Sequence, residues 1–166
     1  MENQTFTEID KTSTKYEQAM LSAFIQKNSK ERFYQKALER MLVTGEPNLK
    51  WNWSWWGFIG GWLFLLYRKS YLAALVVFTA SIFSATIPFG TLILMVITGG
   101  IAPYLIIKRY YRLKTEIELH HQDEQARIKA MQEVGGYHTW VIWLAVIFYS
   151  LLLIGAISLS SLALGF

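Results

Sequence analysis

Residues 51–67 read WNWSWWGFIGGWLFLLY, with Lys50 just before them and Arg68-Lys69 just after. Five of the chain's seven Trp lie here (Trp51, Trp53, Trp55, Trp56 and Trp62), beside Gly57, Gly60 and Gly61. The organisation of the whole chain depends on whether this stretch crosses a bilayer or enters and leaves on one face. An indole ring prefers hydrocarbon while its N–H prefers water, so a Trp cluster collects at the level of the headgroups. The basic residues supply a second argument. All 16 Lys and Arg fall in three places: eight in residues 1–50, the pair Arg68-Lys69, and six between Lys108 and Lys129. Cytoplasmic placement of all three satisfies the positive-inside rule and requires three crossings elsewhere. Residues 51–67 then form an interfacial or re-entrant helix, with the Trp at headgroup depth and Asn52 as a candidate cap. A fourth span at 51–67 is the alternative, and it would send eight basic residues outside.

Composition agrees with a membrane class. The 166 residues are 53% hydrophobic and 17% charged, with positive mean hydropathy, which is too apolar for an ordinary soluble domain. There is no cysteine, so disulfides, thiolate ligands, Cys nucleophiles and palmitoylation are excluded.

Working outward toward the N-terminus, residues 1–13 are polar and read as a loose tail that does not resemble a cleavable signal. From about Thr14 to Leu42, Tyr16, Met20, Phe24, Tyr34, Leu38 and Met41 recur at three- or four-residue spacing, which predicts an amphipathic helical region broken near Asn28-Ser29. TGEPNLK (44–50) ends it. In the other direction, residues 71–107 carry no charged side chain, and IPFG (87–90) divides them into halves of about 17 residues, each roughly 26 Å as helix. That is close to a ~30 Å hydrocarbon core and predicts a transmembrane hairpin. Residues 108–134 are polar, with Tyr110, Leu113, Ile117, Ile128 and Met131 at helical spacing, and predict a cytoplasmic helix ended by Gly135-Gly136. Residues 139–166 are again uncharged, are led by Trp140 and Trp143, and predict a full span.

The segments expected are therefore a cytoplasmic helical region (1–50), the Trp-rich interfacial or re-entrant helix (51–67), a hairpin (68–107), a cytoplasmic helix (108–137) and a C-terminal transmembrane helix (138–166). The fold class is an all-α helical integral membrane protein, multi-pass, with its N-terminus cytoplasmic and its C-terminus periplasmic or extracellular. The side chains expected at the membrane interface are Trp51, Trp53, Trp55, Trp56, Trp62, Arg68, Lys69, Lys108, Arg109 and Arg112.

KWNWSWWGFIGGWLFLLYRKSYLAAL (50–75) resembles a bacterial family of small membrane proteins classed only as a domain of unknown function. The pattern is an Asn-Trp pair, an aromatic run, a Gly, a Trp and Leu-Tyr-Arg-Lys. It is carried here by Asn52, Trp53, Phe58, Gly60, Trp62, Leu66, Tyr67, Arg68, Lys69 and Tyr71, and the resemblance extends over about residues 31–112. Trp55-Trp56 and Gly61 depart from the Ala-Phe and Pro common in that family, while the polar helix and last span look like additions. The resemblance implies a bacterial inner-membrane location and no particular chemistry.

Reactive constellations are thin. ELHHQDE (118–124) places Glu118 with His121 and His120 with Glu124 on shared helical faces, but bundle metal sites need that motif from two helices, so it reads as a solvated face. KRYYRLK (108–114) reads as a juxtamembrane anchor rather than a nucleic-acid patch. GFIGG and TGG are not phosphate loops, and Gly99-Gly100 with Pro103 predict a bend or a close helix approach. Thr79, Ser81, Ser84, Thr86, Thr91 and Thr98 read as packing contacts, since ion-coupled transport needs an intramembrane charge. Neither catalysis, metal nor cofactor is expected. The expected role is a non-catalytic accessory or scaffold protein that binds a larger membrane partner or itself. Its alternatives are a small oligomeric channel or transporter, or a lipid-headgroup-binding protein.

Overall fold

A computed structural model describes residues 2–42 and 45–164, with side chains from Thr14 to Ser161. All regular structure among these residues is helical: α1 (Glu2–Ile25), α2 (Asn28–Met41), α3 (Trp55–Tyr67), α4 (Tyr71–Ser84), α5 (Gly90–His120), α6 (Glu124–Val134) and α7 (Trp140–Leu164). Two of them, α5 and α7, are long and apolar enough to cross a membrane, while α3 and α4 are shorter apolar helices.

The polar helices bundle around the second half of α5. Met20, Phe24 and Ile25 of α1, Tyr34, Ala37 and Met41 of α2, and Met131 of α6 enclose Ile106, Ile107, Tyr110 and Ile117. Every apolar position read at helical spacing in these segments faces this core or packs on its edge, which follows from one apolar stripe per helix. Burial pushes the Tyr110 phenol far above its ordinary range, and the nearby carboxylates of Glu17 and Glu118 act in the same direction. At the rim, Tyr16 donates to Glu118 and Lys114 pairs with Glu17.

The boundaries differ from the sequence reading in three places. α1 starts at Glu2 instead of after a tail, because residues 2–25 contain no Gly or Pro to interrupt the backbone ladder. The α1–α2 break falls at Gln26-Lys27, where Gln26 takes a positive φ of 51°. The polar stretch expected as one helix (108–137) is divided between the end of α5 and a separate α6, because Asp123 caps α6 by accepting from the Ala126 N–H at 2.9 Å.

The apolar helices form the second body. α4 and the first part of α5 make the hairpin, turning through residues 85–89 with Phe89 at a φ of 59°. The hydroxyls of Thr79, Ser81, Ser84, Thr86 and Thr98 all donate back to carbonyls of their own segment, which removes them as exposed donors. α7 stands apart: only 6% of its most apolar window is buried, and its contacts are with α3.

α3 joins the two bodies. It lies along α5 with the Gly57 Cα side against Ala102 and Thr98, where an added Cβ would sit 2.8 Å from the Ala102 Cβ and 3.2 Å from the Thr98 carbonyl. Before it, residues 51–54 are extended. The Asn52 N–H donates to the Gly100 carbonyl at 3.0 Å and the Ser54 N–H to the Gly99 carbonyl at 2.8 Å. Pro103 explains the second bond: it has no N–H, so the carbonyl four residues earlier, Gly99, has no partner inside its own helix. The helix cap is accordingly Ser54, whose hydroxyl accepts from the Gly57 N–H at 3.2 Å, and not Asn52. The expectation for Asn52 fails because its backbone is already engaged with α5, two residues before the helix turns.

Candidate functional site

Two features converge on the outer face of α3. The first is a knot of cations at its C-terminal end. Arg68 is only 5% exposed. Its Nη1 donates to the Ile25 carbonyl at 3.1 Å, where α1 ends, and its guanidinium lies 5.0 Å from the centre of the Tyr34 ring. Lys69 donates to the Gly135 carbonyl just past α6, and Arg109 reaches the Val134 carbonyl at 2.8 Å and the Arg68 carbonyl at 3.4 Å. The final carbonyls of a helix lack intrahelical partners and carry partial negative charge, so each cation answers a helix end. Burial holds the Lys69 ammonium below its ordinary pKa, and the neighbouring Arg109 adds to this. Burial likewise lowers Arg109.

The second feature is a groove of about 570 Å³ between α2, α3 and α7. One wall is α3 and the stretch before it: Trp53, Trp55, Trp56, Ile59, Leu63 and Phe64. The other is one face of α7, with Val141, Ile142, Ala145 and Tyr149. Those four span about 12 Å along the helix axis. Lys27, Lys30 and Arg68 line the end near the cation knot, together with Tyr34 and Tyr67. Among the described residues, no Asp or Glu lines the groove.

The walls are fixed by local geometry. Gly61 takes φ 49° and ψ −125°, which breaks the helical ladder of α3 in its middle. Just before the break, the Ile59 carbonyl accepts from the Tyr149 hydroxyl at 2.5 Å, so α7 is pinned where α3 is kinked. Trp62 stands edge-on to Phe78 of α4 at 4.9 Å and to Phe148 of α7 at 5.6 Å. At the top of α7, Tyr137 stacks on Tyr67, and His138 contacts the Tyr71 hydroxyl.

Of the residues expected at an interface, Trp51, Trp55 and Trp56 are 58%, 65% and 63% exposed, and Lys108 and Arg112 are exposed. Trp53 is half-buried between Gly99 and Phe58, and Trp62 is an internal spacer. Arg68, Lys69 and Arg109 point into the protein at helix ends. The groove joins residues that sequence reasoning did not connect: Lys27, Lys30, Ala145 and Tyr149. One signal was present, since Tyr149 is the only phenol in the final uncharged stretch.

Among the described residues, no group of three or more His, Asp or Glu could hold a metal. His120 turns its Nδ1 to the Glu116 carbonyl of its own helix at 2.8 Å. What the arrangement can do is hold a long apolar molecule beside a set of cations. Comparison with protein-family models, with curated proteins and with solved structures finds no match.

Proposed function

We propose that this chain is a non-catalytic, multi-pass membrane protein of the bacterial inner membrane that accommodates the apolar chain of a lipid in the groove between α3 and α7. The observation that carries this reading is the groove itself, whose walls are aromatic and aliphatic along about 12 Å and whose cations are confined to one end. A volume of about 570 Å³ is in the range of sites for small apolar ligands, roughly 300–1,000 Å³. The test is to fill it. Ala145→Trp or Ala145→Leu should reduce the phospholipid that stays bound to the purified protein through detergent exchange, counted by native mass spectrometry. Retention equal to the parent protein would end this reading.

The same proposal places α1, α2 and α6 in the cytoplasm and α7 across the bilayer, following the distribution of Lys and Arg. The Trp-rich stretch then is re-entrant. Its extended start is bonded to Gly99 and Gly100, about 13 Å along α5 from Lys108. With Trp62, Trp140 and Trp143 changed to Phe, the four remaining Trp should be quenched more strongly by lipids brominated in mid-chain than by lipids brominated near the headgroup. The opposite order would return the stretch to the interface.

A second reading, an accessory subunit or self-associating scaffold, is favoured by the lower part of α7. A Cβ added at Gly155 would meet nothing within 4 Å, so this small residue packs against no other helix described here. Cross-linking between cysteines placed at Gly155 in native membranes would support it, and a monomer at every protein concentration would oppose it.

A further inference from the structure

The lipid reading leaves the head of the ligand unspecified, and the mouth of the groove specifies it. Lys27 and Lys30 flank the start of α2, beside the buried Arg68. Lys30 is only half-exposed. The salt bridges among the described residues both belong to Lys114, so neither Lys27 nor Lys30 has a carboxylate partner there. Lys27 lies 6.0 Å from the centre of the Tyr137 ring, a distance at which its ammonium keeps donors to spare. Three cations, with no carboxylate among the described residues lining the groove, leave a local surplus of positive charge at one end of it.

We infer that this mouth is a phosphate site, in which Lys27 and Lys30, with Arg68 behind them, hold the anionic head of a phospholipid whose chain lies against Trp55, Ile59 and Ala145. The inference rests on the proposed lipid groove. Its physical basis is charge complementarity. An ammonium is a compact donor of three hydrogen bonds suited to a phosphate oxygen, and Arg68 is already committed to Ile25 and Tyr34, so it contributes field more than contact. The resulting selectivity is for anionic over zwitterionic headgroups, and it comes from the leaflet that faces α1 and α2.

The experiment uses the full chain reconstituted in nanodiscs of mixed phosphatidylcholine and phosphatidylglycerol, with retained lipids identified by native mass spectrometry. The parent protein should retain phosphatidylglycerol in preference to phosphatidylcholine. Lys27→Gln with Lys30→Gln should lower that preference roughly tenfold, since each cation near a surface contributes appreciably to binding anionic lipid. Total lipid retention should fall less than in Ala145→Trp, because the apolar walls are untouched. An unchanged preference in the double variant overturns the phosphate site while leaving the groove intact. Full lipid retention in Ala145→Trp overturns the groove, and the inference with it. Inorganic phosphate alone should not displace the lipid; displacement would mean a site for a free anion, and would also overturn the proposal. Both lysines have polar, solvent-reaching side chains, and retention of the parent helix content by circular dichroism checks that the double variant folds.

Discussion

Replacing Arg68 by Leu should destabilise the protein by about 3 kcal/mol, the loss expected when a charged hydrogen bond is removed from a buried acceptor. The side chain is nearly enclosed, and three separate elements depend on it: the Ile25 carbonyl that ends α1, the face of Tyr34 on α2, and the backbone of α3 from which it projects. Leu fills part of the volume but leaves that carbonyl without a donor. Arg68→Lys should recover only part of the loss, since an ammonium cannot lie flat on the ring as a guanidinium does. Arg112→Leu, at an exposed position, should change stability by less than about 0.5 kcal/mol. The measurement is chemical unfolding in mild detergent followed by circular dichroism. Equal midpoints for the Arg68 and Arg112 variants would show that Arg68 is not structural.

The second large effect is expected at Gly57. A Val there places methyl groups against the Ala102 Cβ and the Thr98 carbonyl, and a backbone atom of α5 cannot swing aside as a side chain can. α3 must move away from α5, carrying the Trp-lined wall with it. The cost should reach roughly 3 kcal/mol, the upper part of the range for overpacking. Gly155→Val serves as the control, since its Cβ direction is open. Thermal midpoints in detergent distinguish the two, and a Gly57 variant as stable as the Gly155 variant would mean that α3 does not rest on α5 as described.

Much of the fold was legible because apolar residues at helical spacing have few alternatives. Met20, Phe24, Tyr34, Met41, Tyr110, Ile117 and Met131 could be picked out as core from periodicity alone, and they lie in one cluster. The final apolar helix was equally plain. What could not be read was the partner of each face. Arg68, Lys69 and Arg109 sit next to uncharged stretches and therefore look like anchors for lipid headgroups, whereas they answer carbonyls at the ends of α1 and α6. Those ends are distant in sequence, and no local pattern records that they meet. The groove was hidden for the same reason, because two of its cations, Lys27 and Lys30, come from the start of α2 and its far wall from α7. The extended run 51–54 was hidden differently. A cluster of aromatics reads as helix, yet the deciding residue is Pro103, whose missing N–H leaves the Gly99 carbonyl open to a donor from elsewhere.

On the proposed re-entrant reading, that pairing between Ser54 and Gly99 also orders events during biosynthesis. The Trp-rich run leaves the ribosome before its acceptor exists, with all of α3 and α4 still to be made. Until α5 arrives, the N–H groups of Asn52 and Ser54 have no protein carbonyl to replace water, and withdrawing them into hydrocarbon would cost several kcal/mol each. The nascent segment should therefore wait at the aqueous boundary and settle only after the hairpin is in place, so that chains truncated before Gly99 leave their tryptophans accessible to water-soluble quenchers and longer chains do not.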